Sequence, residues 1–313
     1  MNTLIIGAGA YGLALANVLS EKNNVTVFSV FEKEIEDLNK NYSNYKLFPD
    51  VDLSRNIKFT NNVNDAIMNI QLMIIVIPSN FIKGTLDLFK GKLDGIKICV
   101  AAKGIDKNTY KFPCEIVSEI TNNEISVLSG PSFAIDTIKK NEIILTLAGN
   151  NTKEISNIFP TYIKIEESKD IMGTEVCGTI KNIFAISCGI LKGLEKCEST
   201  KASYLTKIIN ETKNIIESLN GNSKTIFYAC GVGDLLLTCT SEKSRNFSLG
   251  VLIGKSENYK KYLEENTVEG YEAIISLKHI LNNKNISNEL LDIIYEIVIK
   301  GNTPTLLLNY ILK

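Results

Sequence analysis

The sequence predicts an α/β unit built on a mostly parallel sheet, followed by an all-α unit. Three observations carry this. Up to about residue 168, short apolar runs alternate with stretches of helical length, which is the order of βαβ units. The runs are continuous Ile, Val, Leu and Met, as strands covered on both faces require. From Lys169 onward no strand-like run occurs, and apolar residues recur at helical spacing. The expected domains are therefore residues 1–168 and 169–313. A length of 313 residues suits two domains at ~150 residues each.

The candidate strands follow in order: Thr3–Ile6, Val25–Ser29, Ile57–Thr60, Leu72–Ile77, Lys97–Ala101, Ile125–Leu128, Ile143–Ala148 and Tyr162–Ile165. In the second half, Asp170–Leu194 reads as one long apolar helix containing Gly173, Gly178, Ala185 and Gly189. Further helical patterns cover Ser203–Leu219, Ser223–Thr238, Phe247–Gly254, Glu269–Leu281 and Glu289–Lys300. The apolar N-terminal run Leu4–Leu19 lacks a basic leader and is interrupted by Gly7, Gly9 and Gly12. It is shorter than the ~20 residues of a membrane span, and no other segment is expected to come close.

Composition excludes several classes. Mean hydropathy is +0.05 and net charge −1, so neither wholesale disorder nor a nucleic-acid footprint is expected. Seven cysteines are scattered without a C-x-x-C pair, which argues for a reducing compartment and against a zinc site or a disulfide framework. A single histidine, His279, sits in an apolar helical pattern and reads as structural. Only Arg55 and Arg245 are arginines, so each invites the question of what a guanidinium alone can do.

Five stretches carry chemistry. Gly7-Ala8-Gly9-Ala10-Tyr11-Gly12 follows a strand and opens a helix of small residues. In that context the glycines permit a tight turn and close approach of a pyrophosphate, as in a Rossmann-like dinucleotide unit; a glycine-rich turn into a buried helix is the alternative. The next strand ends in Phe28-Ser29-Val30-Phe31. It has neither the acid that binds the 2′-hydroxyl of NAD nor an arginine for the 2′-phosphate of NADP. Cofactor choice stays open there, and little discrimination is expected. Lys103-Gly104 ends the fifth strand, where open α/β sheets bind ligands; an ordinary turn lysine would look the same. Ser129-Gly130-Pro131-Ser132 reads as the start of a helix, facing an anion or simply capping. Lys181-Asn182 lies on the long apolar helix with Cys177, Gly178, Phe184 and Ala185 at helical spacing. Lys181 thus has no local acid, and it either snorkels or meets a partner from elsewhere. Gly231–Ser241 places Asp234 at the opening of an apolar helix, as a possible cap, and Ser244-Arg245-Asn246 follows before another helix start. That corner suits either a phosphate or a surface acid.

Together these stretches resemble the bacterial-type NAD(P)-dependent glycerol-3-phosphate dehydrogenase family. The matching segments are GAGAYGLALA (7–16), NYKLFP (44–49), VIPSN (76–80), AAKGI (101–105), LSGPSFA (128–134), CGTIKNIFAISCGI (177–190), STKAS (199–203), GVGDLLLTCTSEKSRNFSLG (231–250) and VEGYEA (268–273). The resemblance implies reduction of dihydroxyacetone phosphate with NAD or NADP as cofactor, without metal. It implies Lys181 as the proton donor and acceptor. It implies that Lys103, Gly130, Ser132, Asp234, Ser244, Arg245 and Asn246 hold the triose phosphate, with Asn182 and Thr238 near it. Gly7, Gly9, Ala10, Tyr11, Gly12, Lys103, Ala134, Arg245 and Glu269 would contact the dinucleotide. A cytoplasmic homodimer feeding phospholipid synthesis is also implied. Ala10 replaces the family's usual small polar residue, and Phe28-Ser29-Val30 its usual Trp-Gly-Arg. A dehydrogenase for an unphosphorylated hydroxy acid and a non-catalytic dinucleotide sensor are the competing readings. The Ser244-Arg245-Asn246 corner argues against the first, and Lys181 with Lys103 against the second.

Overall fold

A computed structural model describes residues 1–313. Each of the eight apolar runs forms a strand: β1 Asn2–Ile6, β2 Asn24–Phe28, β3 Ile57–Thr60, β4 Leu72–Ile75, β5 Lys97–Val100, β6 Ile125–Ser129, β7 Ile143–Gly149 and β8 Ile163–Ser168. They make one sheet in the order β3-β2-β1-β4-β5-β6-β7-β8. Neighbours from β3 to β6 run parallel; β7 is antiparallel to β6, and β8 is parallel to β7.

The central strands show why their sequences do not alternate. Ile5, Val27, Ile74 and Cys99 face one apolar layer, while Leu4, Ile6, Phe28, Met73, Ile75 and Val100 face the other. Both faces are therefore core. Burying each such large side chain contributes roughly 1.5–3 kcal/mol. The edge strands are less covered, with Lys58 exposed in β3 and Lys164 and Glu167 exposed in β8. Strand order reverses beside β1, so the carboxyl ends of β1 and β4 open at the switch point where such sheets bind ligands.

The chain divides into two compact units, Met1–Ala102 with Pro113–Ile171, and Lys103–Phe112 with Met172–Lys313. The expected division at residue 168 contained no such exchange. Ile105 and Phe112 are buried in the apolar core of the second unit, so the segment after β5 belongs there.

The second unit is helical. Its central element is the Ile171–Gly193 helix, buried along almost its whole length. By length and composition this helix suffices to cross a membrane, contrary to the expectation that no other segment comes close. Its apolar window is wholly buried inside the protein. The Arg245–Gly254 helix crosses it at glycines. A Cβ on Gly250 would lie 1.9 Å from the Ile186 carbonyl oxygen, and one on Gly189 would lie 2.1 Å from that of Phe247. Gly193 and Gly254 repeat the contact one turn on.

Two helix expectations need correction. Ser223–Thr238 is not one helix: a 3₁₀ turn at Ser223–Phe227 gives way to a π turn at Ala229–Gly233 and then the Asp234–Thr240 helix. The break falls at Gly231 (φ −90°, ψ −106°). A Cβ there would sit 2.0 Å from the Ile226 carbonyl oxygen. The helix expected at Pro131 begins instead at Ala134 and ends at Ile138. Two helices had no readable signal: Lys260–Glu265 buries no residue, and Leu306–Leu312 is seven residues long.

Candidate active site

In the first unit the glycine motif is the turn between β1 and the Ala10–Leu19 helix. Gly7 adopts φ +115° and donates its N–H to the Phe28 carbonyl at 2.9 Å. A Cβ on Gly12 would lie 2.1 Å from the Gly7 oxygen, whereas one on Gly9 would meet nothing within 4 Å. The turn is thus closed by Gly12 and left open at Gly9, beside the helix N-terminus. That cradle fits a dinucleotide pyrophosphate. The Ala10 and Tyr11 side chains lie in the first turn of this helix, and Ser132 Oγ donates to the Tyr11 hydroxyl at 3.0 Å. Gly130, at φ +153°, directly follows β6 and lies against β7, where a Cβ would press on Ile144 and Leu145. Ala134 is the first residue of its short helix.

In the second unit, Lys181 meets the partner its own helix lacks. Its Nζ donates to Asp234 Oδ1 at 2.7 Å, and Lys103 Nζ donates to Asp234 Oδ2 at 2.9 Å. Asp234 is 1 % exposed and Lys181 8 %, so that half of the bridge is buried, while the Lys103 side chain is 19 % exposed. Asp234 does not cap its helix, as the sequence suggested; Gly233 holds that position and makes no side-chain cap. Thr238 Oγ1 donates to the Asp234 backbone oxygen at 2.7 Å and reaches its Oδ1 at 3.5 Å.

Burial pushes Lys181 down to about 8; the Asp234 charge opposes this and the Lys103 charge adds to it. Burial would raise Asp234, but Lys103 and Lys181 outweigh it and hold the carboxyl below its usual range. Two cations on one buried carboxylate leave an excess positive charge. An ammonium with a lowered pKa in such a place suits proton transfer near neutrality.

The loop that brings Lys103 here is built by a residue the sequence reading passed over. Asp106 accepts from the backbone N–H groups of Asn108 and Thr109 at 3.0 and 2.7 Å, and from the Thr109 hydroxyl. The Asp-x-Asn-Thr order was the available turn signal. Tyr110 then stacks on His279, with ring centroids 3.8 Å apart. The one histidine, exposed on its helix, thus packs against this loop.

The Arg245 corner is a helix start. Ser244 is the N-cap and accepts from Phe247 N–H at 3.3 Å. Arg245 is exposed and pairs with no carboxylate, so the surface-acid alternative finds no partner. Asn246 points inward: its Nδ2 donates to Asn182 Oδ1 at 3.0 Å, and its Oδ1 accepts from Gly270 N–H at 2.9 Å. Asn182 Nδ2 in turn donates to Glu269 Oε2 at 2.9 Å. Sequence reasoning named these residues singly and missed the network. A Cβ on Gly270 would lie 2.5 Å from the Asn182 carbonyl, the only hint being a glycine inside VEGYEA.

A dinucleotide cradle in an α/β unit, with a buried lysine–carboxylate–lysine bridge and an unpaired arginine at a helix start in a helical unit, defines a nicotinamide-dependent dehydrogenase of the two-unit type. Family descriptions narrow the class. The N-terminal description of NAD-dependent glycerol-3-phosphate dehydrogenase matches residues 2–155, and the C-terminal description matches residues 170–309. The chain belongs to the NAD-dependent glycerol-3-phosphate dehydrogenase family. It is 34 % identical over 309 residues to the glycerol-3-phosphate dehydrogenase [NAD(P)+] of Clostridium botulinum strain Eklund 17B, covering 96 % of this chain and 94 % of that one. The enzyme of strain Alaska E43 is 34 % identical over 307 residues, covering 96 % and 93 %. The crystal structure of glycerol-3-phosphate dehydrogenase from Coxiella burnetii superposes with a TM-score of 0.92 at 25 % identity, covering 100 % of this chain and 98 % of that one.

Proposed function

We propose that the chain reduces dihydroxyacetone phosphate to sn-glycerol 3-phosphate with NADH or NADPH, reversibly, and supplies glycerol 3-phosphate for phospholipid synthesis. The observation that carries the residue roles is the Lys181–Asp234–Lys103 bridge. When bound, the reduced nicotinamide supplies a hydride to the carbonyl carbon. The Gly7–Gly12 turn, with Ala10, Tyr11 and Ala134, holds the dinucleotide, and Lys103, Arg245 and Glu269 contribute to it. Lys181 gives its Nζ proton to the developing alkoxide and takes it back in the reverse direction. Asp234 orients that ammonium, and burial, aided by the Lys103 charge, keeps its pKa low. Arg245, with Ser244 and the helix-start amides, grips the phosphate remote from the reacting carbon. Gly130, Ser132, Asn182, Thr238 and Asn246 complete the substrate contacts. No step calls for a metal. The family resemblance supports a cytoplasmic homodimer, and both form part of this reading.

The test follows loss of nicotinamide absorbance with dihydroxyacetone phosphate and with unphosphorylated dihydroxyacetone, in wild type and Arg245→Lys. Arginine holds phosphate through two parallel N–H bonds, and lysine does so as a mobile point charge. Arg245→Lys should weaken use of the phosphorylated substrate by about 1–3 kcal/mol, the range for a charged hydrogen bond, and leave the poor activity on dihydroxyacetone unchanged. Equal losses on both substrates would remove the phosphate from Arg245.

A further inference from the structure

The second strand ends without an acid, but the helix that follows it supplies one in its first turn. Gly7 N–H on the Phe28 carbonyl ties the end of β2 to the pyrophosphate turn. After Phe28 the chain passes Ser29, then Val30 and Phe31, which are 53 % and 68 % exposed, and enters the Glu32–Asn41 helix. From the first turn of that helix Glu34 reaches back. Ser29 Oγ donates to Glu34 Oε2 at 2.6 Å and accepts from Phe31 N–H at 3.3 Å. Ser29 is itself buried, so its hydroxyl is a fixed anchor. Oε2 is engaged by it, and Oε1 is left to accept from another donor.

We infer that Glu34, held by Ser29, selects NAD(H) over NADP(H). The inference rests on the dinucleotide reading above. A carboxylate anchored at the end of the second strand accepts a hydrogen bond from a ribose 2′-hydroxyl. A 2′-phosphate in the same place brings negative charge against it and offers no donor. The surrounding turn gives that phosphate little relief. Lys33 is the one cation of the helix's first turn, beside Glu32 and Glu34, and the whole helix sets Lys33 and Lys40 against Glu32, Glu34, Glu36 and Asp37. Position 30, where a guanidinium would neutralise a 2′-phosphate, is Val30. The little discrimination expected from the strand end alone is therefore replaced by a preference set one helical turn later.

The experiment is calorimetric titration of the full chain with NAD+ and with NADP+, without substrate. Wild type should bind NADP+ at least ~10-fold more weakly, a modest value for like charges at a partly exposed site. Glu34→Gln keeps the side chain's shape and its bond to Ser29 but removes the charge. It should tighten NADP+ and weaken NAD+, bringing the ratio towards one. Ser29→Ala keeps the charge and removes its anchor; NAD+ should weaken several-fold while NADP+ stays weak. Equal affinities in wild type, or a ratio unmoved by Glu34→Gln, overturn the inference alone. Equal weakening of both nucleotides in Ser29→Ala would make Ser29 structural and overturn its part. Binding of neither nucleotide by wild type would overturn the dinucleotide reading itself, and this inference with it.

Discussion

At the residue scale the proposed chemistry turns on one proton. An ordinary exposed lysine is a poor acid near neutrality because it holds its proton too well. Burial brings Lys181 down to about 8, while Asp234 prevents it from falling further. In the proposed role of proton donor for carbonyl reduction Lys181 must carry its charge, so kcat for reduction should decline as pH rises through about 8. The reverse oxidation needs the neutral amine and should gain over the same range. Parallel pH profiles in the two directions check the sign; a fall on the alkaline side in both would assign the limb to another group. Lys181→Met keeps the stem packed against its apolar neighbours and removes the proton. It should cut kcat at least ~10²-fold, the lower range for general acid catalysis. Calorimetric affinity for the dinucleotide should hold, since the glycine cradle lies in the other unit. Near-native turnover of this variant would make Lys181 a buried structural cation.

At the element scale the second unit depends on two helices whose backbones touch. Gly189 and Gly193 on the long helix meet Gly250 and Gly254 on the other, each pair four residues apart. Their reciprocal contacts place the Arg245 helix start and the Lys181 helix in one register. Gly250→Ala would set a methyl 1.9 Å from the Ile186 oxygen, and the helices must part to admit it. Overpacking of this kind costs about 1–3 kcal/mol. Gly84→Ala is the control: it lies in the Ser79–Asp87 helix with nothing within 4 Å of the new methyl. Alanine there gains helix propensity worth up to ~1 kcal/mol. Urea denaturation should therefore move the midpoint down for the first variant and hold or raise it for the second. A neutral Gly250→Ala would show that the crossing is looser than its geometry.

At the scale of the whole molecule, stability comes from apolar layers and needs no covalent staple. All seven cysteines are free, and only Cys197 is exposed. It stands at the N-cap of the Glu198–Ser218 helix, where the Thr200 hydroxyl and backbone amides lower its pKa. The other six are buried, and Cys99 is pushed up to about 12 by burial. A chromogenic disulfide reagent should titrate one fast thiol per native chain and all seven after unfolding. The melting temperature should be the same with and without reductant. Two or more fast thiols in the native protein would mean that the buried set is reached by local opening.

The sequence by itself determined the layout: continuous apolar runs make strands only where both faces are covered, and a G-x-G-x-x-G between strand and helix has one economical geometry. Gly7, Lys181 and Arg245 were legible because each is conspicuous in its local pattern. Local pattern misled where a tertiary contact outweighed it. Gly231 breaks an otherwise helical run because the Ile226 carbonyl needs the space of its side chain. Asp234 leaves the cap for two lysines, 53 and 131 residues away in the chain. Glu34 carries no signal in its local pattern, and only the fold shows the Ser29 hydroxyl holding it. Periodicity reports which face of an element is apolar, and it carries no information about which distant side chain arrives there. Only the tertiary structure decided that a buried ammonium, which has no partner within its own helix, would share one carboxylate with a second lysine.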